Sequence, residues 1–217
     1  MKIIWHGHSC FQIIAQEEKD TKVSIVIDPF SKEIGLKLPK LEANILLVTH
    51  DHSDHNNVKA VSGNPFVITG PGEYDIKGVF VRGIPAFHDN VEGKERGQTT
   101  IYNIQAENIS ICHLGDLGQK ELTPDQVEQV NSVDILMIPV GGKYTISAKD
   151  ALKIMSQIEP KITIPMHYSV PKLKIKLDGL GEFLKTLGVE SIEPLNSLSI
   201  KKKDLSEEEA RIIVLKS

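Results

Sequence analysis

Apolar runs rich in β-branched residues recur along the chain at 23–27, 45–49, 79–84, 109–112, 135–140 and 162–165, and many close on Gly, Pro, Asp or His. Short runs of this kind bounded by turn formers predict strands, several of them buried on both faces. Between them the period changes to that of a helix. Ser147 and Asp150 form a capping box, and Ala148, Ala151, Leu152, Met155 and Ile158 follow on one face. Thr123-Pro124-Asp125-Gln126 opens a second helix in the same way. A third carries Leu180, Phe183, Leu184 and Leu187 on one face and stops at Gly188, which suits the left-handed position beyond a helix end. Val58 and Val61 suggest a further helix starting after His55, and a final strand is expected at 212–215. Strands interleaved with helices indicate an α/β or layered α+β fold.

No fixed repeat, low-complexity tract or linker divides the 217 residues, so one domain spanning 1–217 is expected. With 25 Lys and Arg against 29 Asp and Glu, the formal charge of -4 gives no general attraction to nucleic acid or an anionic membrane. Basic residues cluster only at 172–176 and 201–203, and the alternating lysines of the first read as an exposed strand edge guarded against pairing. No window supplies the roughly 18 apolar residues of a membrane span, and the opening apolar stretch is too short for a signal peptide. Cys10 and Cys112 sit in apolar runs, where a buried free thiol is the commoner state. A soluble cytoplasmic protein is expected.

The eight histidines change the picture. They are His6, His8, His50, His52, His55, His88, His113 and His167, and three of them fall in His50-Asp51-His52-Ser53-Asp54-His55, directly after a strand. In an extended segment residues two apart face the same side, so His50 and His52 can meet one metal ion. Asp54 and His55 follow where the chain turns and can reach a second. Three more runs share one layout, an apolar strand that ends near a candidate ligand: 79–85 leads to His88, 109–112 to His113-Leu114-Gly115-Asp116, and 162–165 to His167-Tyr168. Ligands at the carboxyl ends of several strands converge on one crevice. Imidazoles and carboxylates without thiolate suit two first-row divalent ions, zinc first and manganese or iron as alternatives. The polar segment 89–98, following His88, is expected to be a loop bordering this site.

Taken together, Trp5-His6-Gly7-His8-Ser9, Ile27-Asp28-Pro29, the cluster at 50–55, Ala86-Phe87-His88, His113-Leu114-Gly115-Asp116 and Pro165-Met166-His167-Tyr168 stand in an order that resembles the metallo-β-lactamase superfamily. The likeness is closest to its small prokaryotic branch of Zn-dependent hydrolases related to ascorbate-6-phosphate lactonase. It implies a four-layer αββα sandwich with a binuclear site on its edge. By the family motif His50, His52 and His88 would hold one ion and Asp54, His55 and His167 the other, with Asp116 bridging. Asp28 matches the aspartate that orients a ligand from behind, although a turn aspartate before Pro29 reads equally well. His113 is expected to support the site, His8 either to line it or to cap a turn, and His6 to be structural. Aspartates at both Asp54 and Asp116 argue against β-lactam hydrolysis, and His52 argues against the flavodiiron branch, which carries Glu there.

The function expected is a metal-dependent hydrolase in which hydroxide shared by two ions attacks a small ester, lactone or phosphoester. Asp54 or Asp116 would take the proton released as the nucleophile forms. Tyr168 is the first candidate for the leaving-group acid, with Lys143 and Tyr144 next, and 70–74 is most simply a turn. The alternatives are a phosphodiesterase or nuclease, for which only the two basic clusters offer a surface, and a non-catalytic metal-stabilised scaffold. A small-molecule substrate is favoured over nucleic acid; substrate identity and oligomeric state are not encoded in these patterns.

Overall fold

Side-chain alternation decides how the layers stack. In the computed structural model, which describes residues 1–17, 21–205 and 209–217, Val23, Ile25 and Ile27 join the main core whereas Val26 joins a second, smaller one. Ile45 and Leu47 divide from Leu46 in the same way. Residues two apart share a face, so this sheet carries apolar matter on both sides.

The strands, in chain order, are β1 (Lys2–Gly7), β2 (Cys10–Glu17), β3 (Thr21–Ile27), β4 (Leu41–Glu42), β5 (Ile45–Leu47), β6 (Val61–Ser62), β7 (Phe66–Ile68) and β8 (Gly72–Ile76). They continue with β9 (Val79–Phe87), β10 (Gln98–Ala106), β11 (Ile109–His113), β12 (Ile135–Pro139), β13 (Ile162–Met166), β14 (Leu198–Ser199) and β15 (Arg211–Ile212). The helices are α1 (Pro124–Val130), α2 (Ala148–Ile158) and α3 (Leu180–Thr186). One sheet runs β14-β1-β2-β3-β5-β7, the other β15-β13-β12-β11-β10-β9-β8, and β4 pairs with β6. Inward residues of both sheets form the main core. Buried Tyr102 of the second sheet pins the two together by donating its hydroxyl to the Val48 carbonyl at 2.9 Å.

The αββα order is present, with unequal outer layers. Parallel β11, β12 and β13 are linked through α1 and α2. Both capping boxes form as expected, Thr123 with Gln126 and Ser147 with Asp150, and Gly188 takes the left-handed conformation. Against the first sheet lie 3₁₀ turns, the β4–β6 pair and segment 172–176, packed around Phe30, Ile34, Leu41 and Val61.

Three expectations are corrected. The helix after His55 is a single 3₁₀ turn, Val58–Ala60, because Val61 enters β6 and pairs with Leu41. The final strand is β15; beyond it Leu215 makes only an isolated bridge to Leu195. Segment 172–176 is not a strand edge. Leu173 and Ile175 pack on the smaller core, and the Lys174 N–H donates to the Ile34 carbonyl at 2.8 Å. The alternation that suggested a strand instead reflects a cover whose apolar residues point inward. Segment 70–74, in turn, runs into edge strand β8.

The cover depends on Gly35, which stands at φ +92 and where a β-carbon would fall 2.1 Å from the Lys172 carbonyl oxygen. Gly35→Ala is expected to cost about 1–3 kcal/mol from backbone strain and to speed amide exchange at Lys174. Thermal melts and hydrogen exchange check this, and an unchanged melting temperature would contradict it.

Candidate metal centre

Each chemically active side chain stands just past a strand end: Asp28 after β3, the 50–55 cluster after β5, His88 after β9, Asp116 after β11 and His167 after β13. The structure brings these together. His50, His52 and His88 form one donor set, and Asp54, His55 and His167 fall within a second that also contains His8; in each set one ligand atom per residue lies within 4.8 Å of the others. Asp116 stands between the sets. Its Oδ2 is 3.1 Å from His167 Nε2, 3.3 Å from His55 Nε2 and 3.6 Å from His88 Nε2.

Hydrogen bonds fix which nitrogen each ring presents. Asp28 accepts from the Thr49 backbone N–H at 2.8 Å, from Thr49 Oγ1 at 2.7 Å and from His55 Nδ1 at 2.9 Å. Thr49 gives its only hydroxyl proton to Asp28, so it accepts from His50 Nδ1 at 3.0 Å. Both rings therefore carry hydrogen on Nδ1 and turn Nε2 inward. Both Nε2 atoms are buried with no hydrogen-bond partner among the described residues, which is how an imidazole held for a metal is arranged. The spacing fits as well. Two donors each about 2.1 Å from one ion stand roughly 3.0–3.4 Å apart, close to the separations around Asp116.

The surroundings brace this arrangement. His113 donates from Nε2 to the Ser9 carbonyl at 3.0 Å and accepts the Gly115 N–H at Nδ1 at 3.1 Å, while Ser9 Oγ donates to Asp116 Oδ1 at 3.3 Å. His113 thus ties the β1–β2 turn to the loop that carries Asp116. Gly141 leaves room for His167, since a β-carbon there would fall 2.1 Å from the His167 carbonyl oxygen.

Burial and neighbouring charge set the protonation states. Burial, reinforced by the charge of His55, pushes His50 down to about 3. Burial and then His167 push His8 down to about 4. His55 is also driven down by burial, yet the carboxylates of Asp116 and Asp28 prevail and raise it well above an ordinary imidazole. Burial opposes ionisation of Asp116, but His167 and His55 hold it well below the usual carboxylate range. For Asp54, the neighbouring imidazoles of His55 and His8 overcome burial in the same direction. At neutral pH the carboxylates are charged, and His50 and His8 are neutral donors.

A cavity of about 470 Å³ opens over the cluster, with His52, Asp54, His88, Asp116 and His167 in its floor and Glu33, Arg96, Tyr144, Lys174 and Ile175 in its walls. The loop after His88 borders it, as expected. That loop is wound about Asp89, whose carboxylate accepts the backbone N–H groups of Val91, Gly93, Glu95 and Arg96 at 2.8–2.9 Å. Although burial raises the Asp89 pKa, these bonds bring it down to about 2. The Arg96 guanidinium lies 5.6 Å over the Tyr144 ring. Tyr168 does not line the cavity. Its ring is buried 5.1 Å from that of Trp5, and burial raises its phenol pKa. Lys143 pairs with Asp178 at 3.2 Å. Sequence reasoning missed Arg96 and Lys174 as wall residues; the asparagine-and-glycine-containing loop opened by Asp89 was the available signal for the first. A cavity of equal volume beside α1, lined by Val130, Asp134 and Lys202 among others, contains no imidazole.

Comparison with known proteins adds a family. Residues 2–167 match the model of the β-lactamase superfamily domain. A protein of Thermoplasma acidophilum named a UPF0173 metal-dependent hydrolase is 30% identical over 196 residues, covering 78% of this chain and 84% of that protein. A like-named protein of Thermococcus onnurineus is 29% identical, covering 78% and 85%. Among solved structures, a Thermotoga maritima protein of the metallo-β-lactamase superfamily, proposed to be a Zn-dependent hydrolase, superposes with a TM-score of 0.79 at 35% identity, covering 99% of this chain and 98% of the other.

Two outcomes follow from the site's electrostatics. In the metal-free protein His50 and His8 stay neutral down to about 3 and about 4, whereas an ordinary imidazole takes up its proton near 6.5. The unfolded chain binds more protons in that window, so stability falls as pH falls from 6.5. His55 does not offset this loss: its contribution is complete below 6.5 and disappears only as pH rises through its elevated folded value. Melting temperatures of chelator-treated protein should therefore drop steadily between pH 7 and 4, and a flat profile would contradict the assignment. Asp28→Asn removes an acceptor from His55 and Thr49 together; a loss of about 10–100-fold in metal affinity is expected, read by chelator competition with the fold checked by circular dichroism.

Proposed function

This chain belongs to the metallo-β-lactamase superfamily and is a metal-dependent hydrolase, and from that premise we propose that it uses two divalent ions, zinc first, to hydrolyse a small ester, lactone or phosphoester. The observation that carries this reading is Asp116 Oδ2, which lies within 3.1–3.6 Å of imidazole nitrogens from both donor sets. His50, His52 and His88 would hold one ion, Asp54, His55 and His167 the other, with Asp116 between them. Ions bound there supply an acidified water and a Lewis acid for the attacked oxygen. Manganese or iron suits the same donors.

The chain's own groups do the rest. Asp54 faces the cavity and takes the proton released from the attacking water at its carboxylate oxygen. That carboxyl is strongly acidic, so it passes the proton on rather than storing it. Asp28 keeps His55 and, through Thr49, His50 in the required tautomers. Arg96 and Tyr144 lie on the cavity wall, where they contact the substrate, and Tyr144 takes over from Tyr168 as the candidate leaving-group acid.

The cavity size supports a small substrate, since pockets for such ligands run about 300–1,000 Å³. A nucleic-acid track has little support: Lys202 is tied to Asp134 at 2.7 Å, and Lys174 stands at the cavity. Cys10 and Cys112 are both free and buried, which supports a reducing, cytoplasmic setting. Among the described residues no helix is long and apolar enough to cross a membrane.

Metal content by plasma mass spectrometry, wild type against Asp116→Ala, tests the reading. About two ions per wild-type chain are expected, with loss of at least one in the variant and a fall in ester or lactone hydrolysis of about 100-fold or more, at least the scale of loss seen when metal-site partners are removed. A wild type that folds in the presence of zinc yet carries no metal would overturn it.

A further inference from the structure

His8 stands on the turn between β1 and β2 and is fully buried. Its φ of +53 is a left-handed conformation that a β-carbon disfavours, and the surroundings hold it there. Its carbonyl accepts both Trp5 Nε1–H at 2.9 Å and the backbone N–H of His167 at 3.0 Å. The backbone of the turn is thereby locked to that of a proposed ligand. The ring points the same way: its centroid is 4.2 Å from that of His167 and 4.8 Å from that of His55, and its Nε2 is 3.0 Å from Asp54 Oδ2. His8, Asp54, His55 and His167 each offer one ligand atom within 4.8 Å of all the others. His8 also shares a signature with His88 and His167. All three turn Nε2 to a carboxylate and keep Nδ1 buried without a hydrogen-bond partner among the described residues.

Resting on the binuclear reading above, we infer that His8 is a fourth protein ligand, through Nε2, to the ion held by Asp54, His55 and His167, in addition to the shared Asp116. The two sites are then unequal. One is a set of three imidazoles and two carboxylates, buried except for the half-buried Asp54. The other has three imidazoles, one of them the exposed His52, and shares Asp116. A donor to Asp54 alone would need neither the ring packed against His167 and His55 nor a nitrogen inside the donor set.

Cobalt loading of His8→Gly tests this, because glycine accepts φ +53 without strain and leaves a hole the size of the ring. Wild type is expected to take up about two cobalt ions. In the variant one ion should weaken by about 100-fold or more, the upper end of the loss for removing even a ligand's partner, with the visible cobalt band altered as a nitrogen leaves. Added imidazole should restore both. His8→Asn, which also tolerates the left-handed backbone, should show the same loss without rescue, and circular dichroism checks both folds. A wild type with two ions and variants with unchanged affinities and spectra would overturn the inference alone. So would a weakening without spectral change or imidazole rescue, which is the mark of a mere hydrogen-bond donor to Asp54. A wild type that takes up no cobalt would overturn the binuclear reading and this one with it.

Discussion

The carboxylate of Asp28 governs the site without touching the cavity. It is fully buried and takes three hydrogen bonds, two from Thr49 and one from His55. An ionised group in such a place is costly unless every lone pair is used. Two of these bonds, from Thr49 Oγ1 and His55 Nδ1, also set the tautomers of His50 and His55, one proposed ligand for each ion. Disturbing one acceptor therefore reaches both halves of the centre.

The fold meets this demand by placing local strain where the strands end. His8, Asp28 and His167 all have positive φ, at +53, +47 and +51. Such residues persist only where their surroundings over-determine them, at about 1–3 kcal/mol each. Here the surroundings are two sheets with a shared apolar core, joined near the site by Tyr102 and by the Thr100 N–H to the Thr49 carbonyl at 2.9 Å. The core offsets the strain, and the strained turns aim the side chains.

The main elements were legible in the sequence because burial imposes periods: the runs at 135–140 and 162–165 are β12 and β13 to within a residue at their ends. The donor cluster was legible because His and Asp at strand ends carry their chemistry in their identity. Other features depend on backbone geometry that no period records. Tyr168 follows His167 directly, but the left-handed backbone at His167 turns the chain at that point, and Tyr168 lies against Trp5 instead of the cavity. Segment 172–176 alternates like a strand because a cover lying on a core obeys the same in-and-out rule. Val58 and Val61 are three apart, a spacing that a 3₁₀ turn satisfies as well as an α-helix. The placement of His8 depends on a left-handed turn and on a bond to a residue 159 positions away, His167.

Asp89 anchors the cavity's outer loop through backbone N–H groups alone, four of them between Val91 and Arg96. Every amino acid except proline supplies that group. The loop can therefore exchange most of its side chains while keeping its path, and its glycines mark the chief exceptions. A scaffold of this kind separates two evolutionary tasks: the chemistry stays with the rigid strand ends, and substrate preference can drift along a rim whose shape does not depend on the residues that do the choosing.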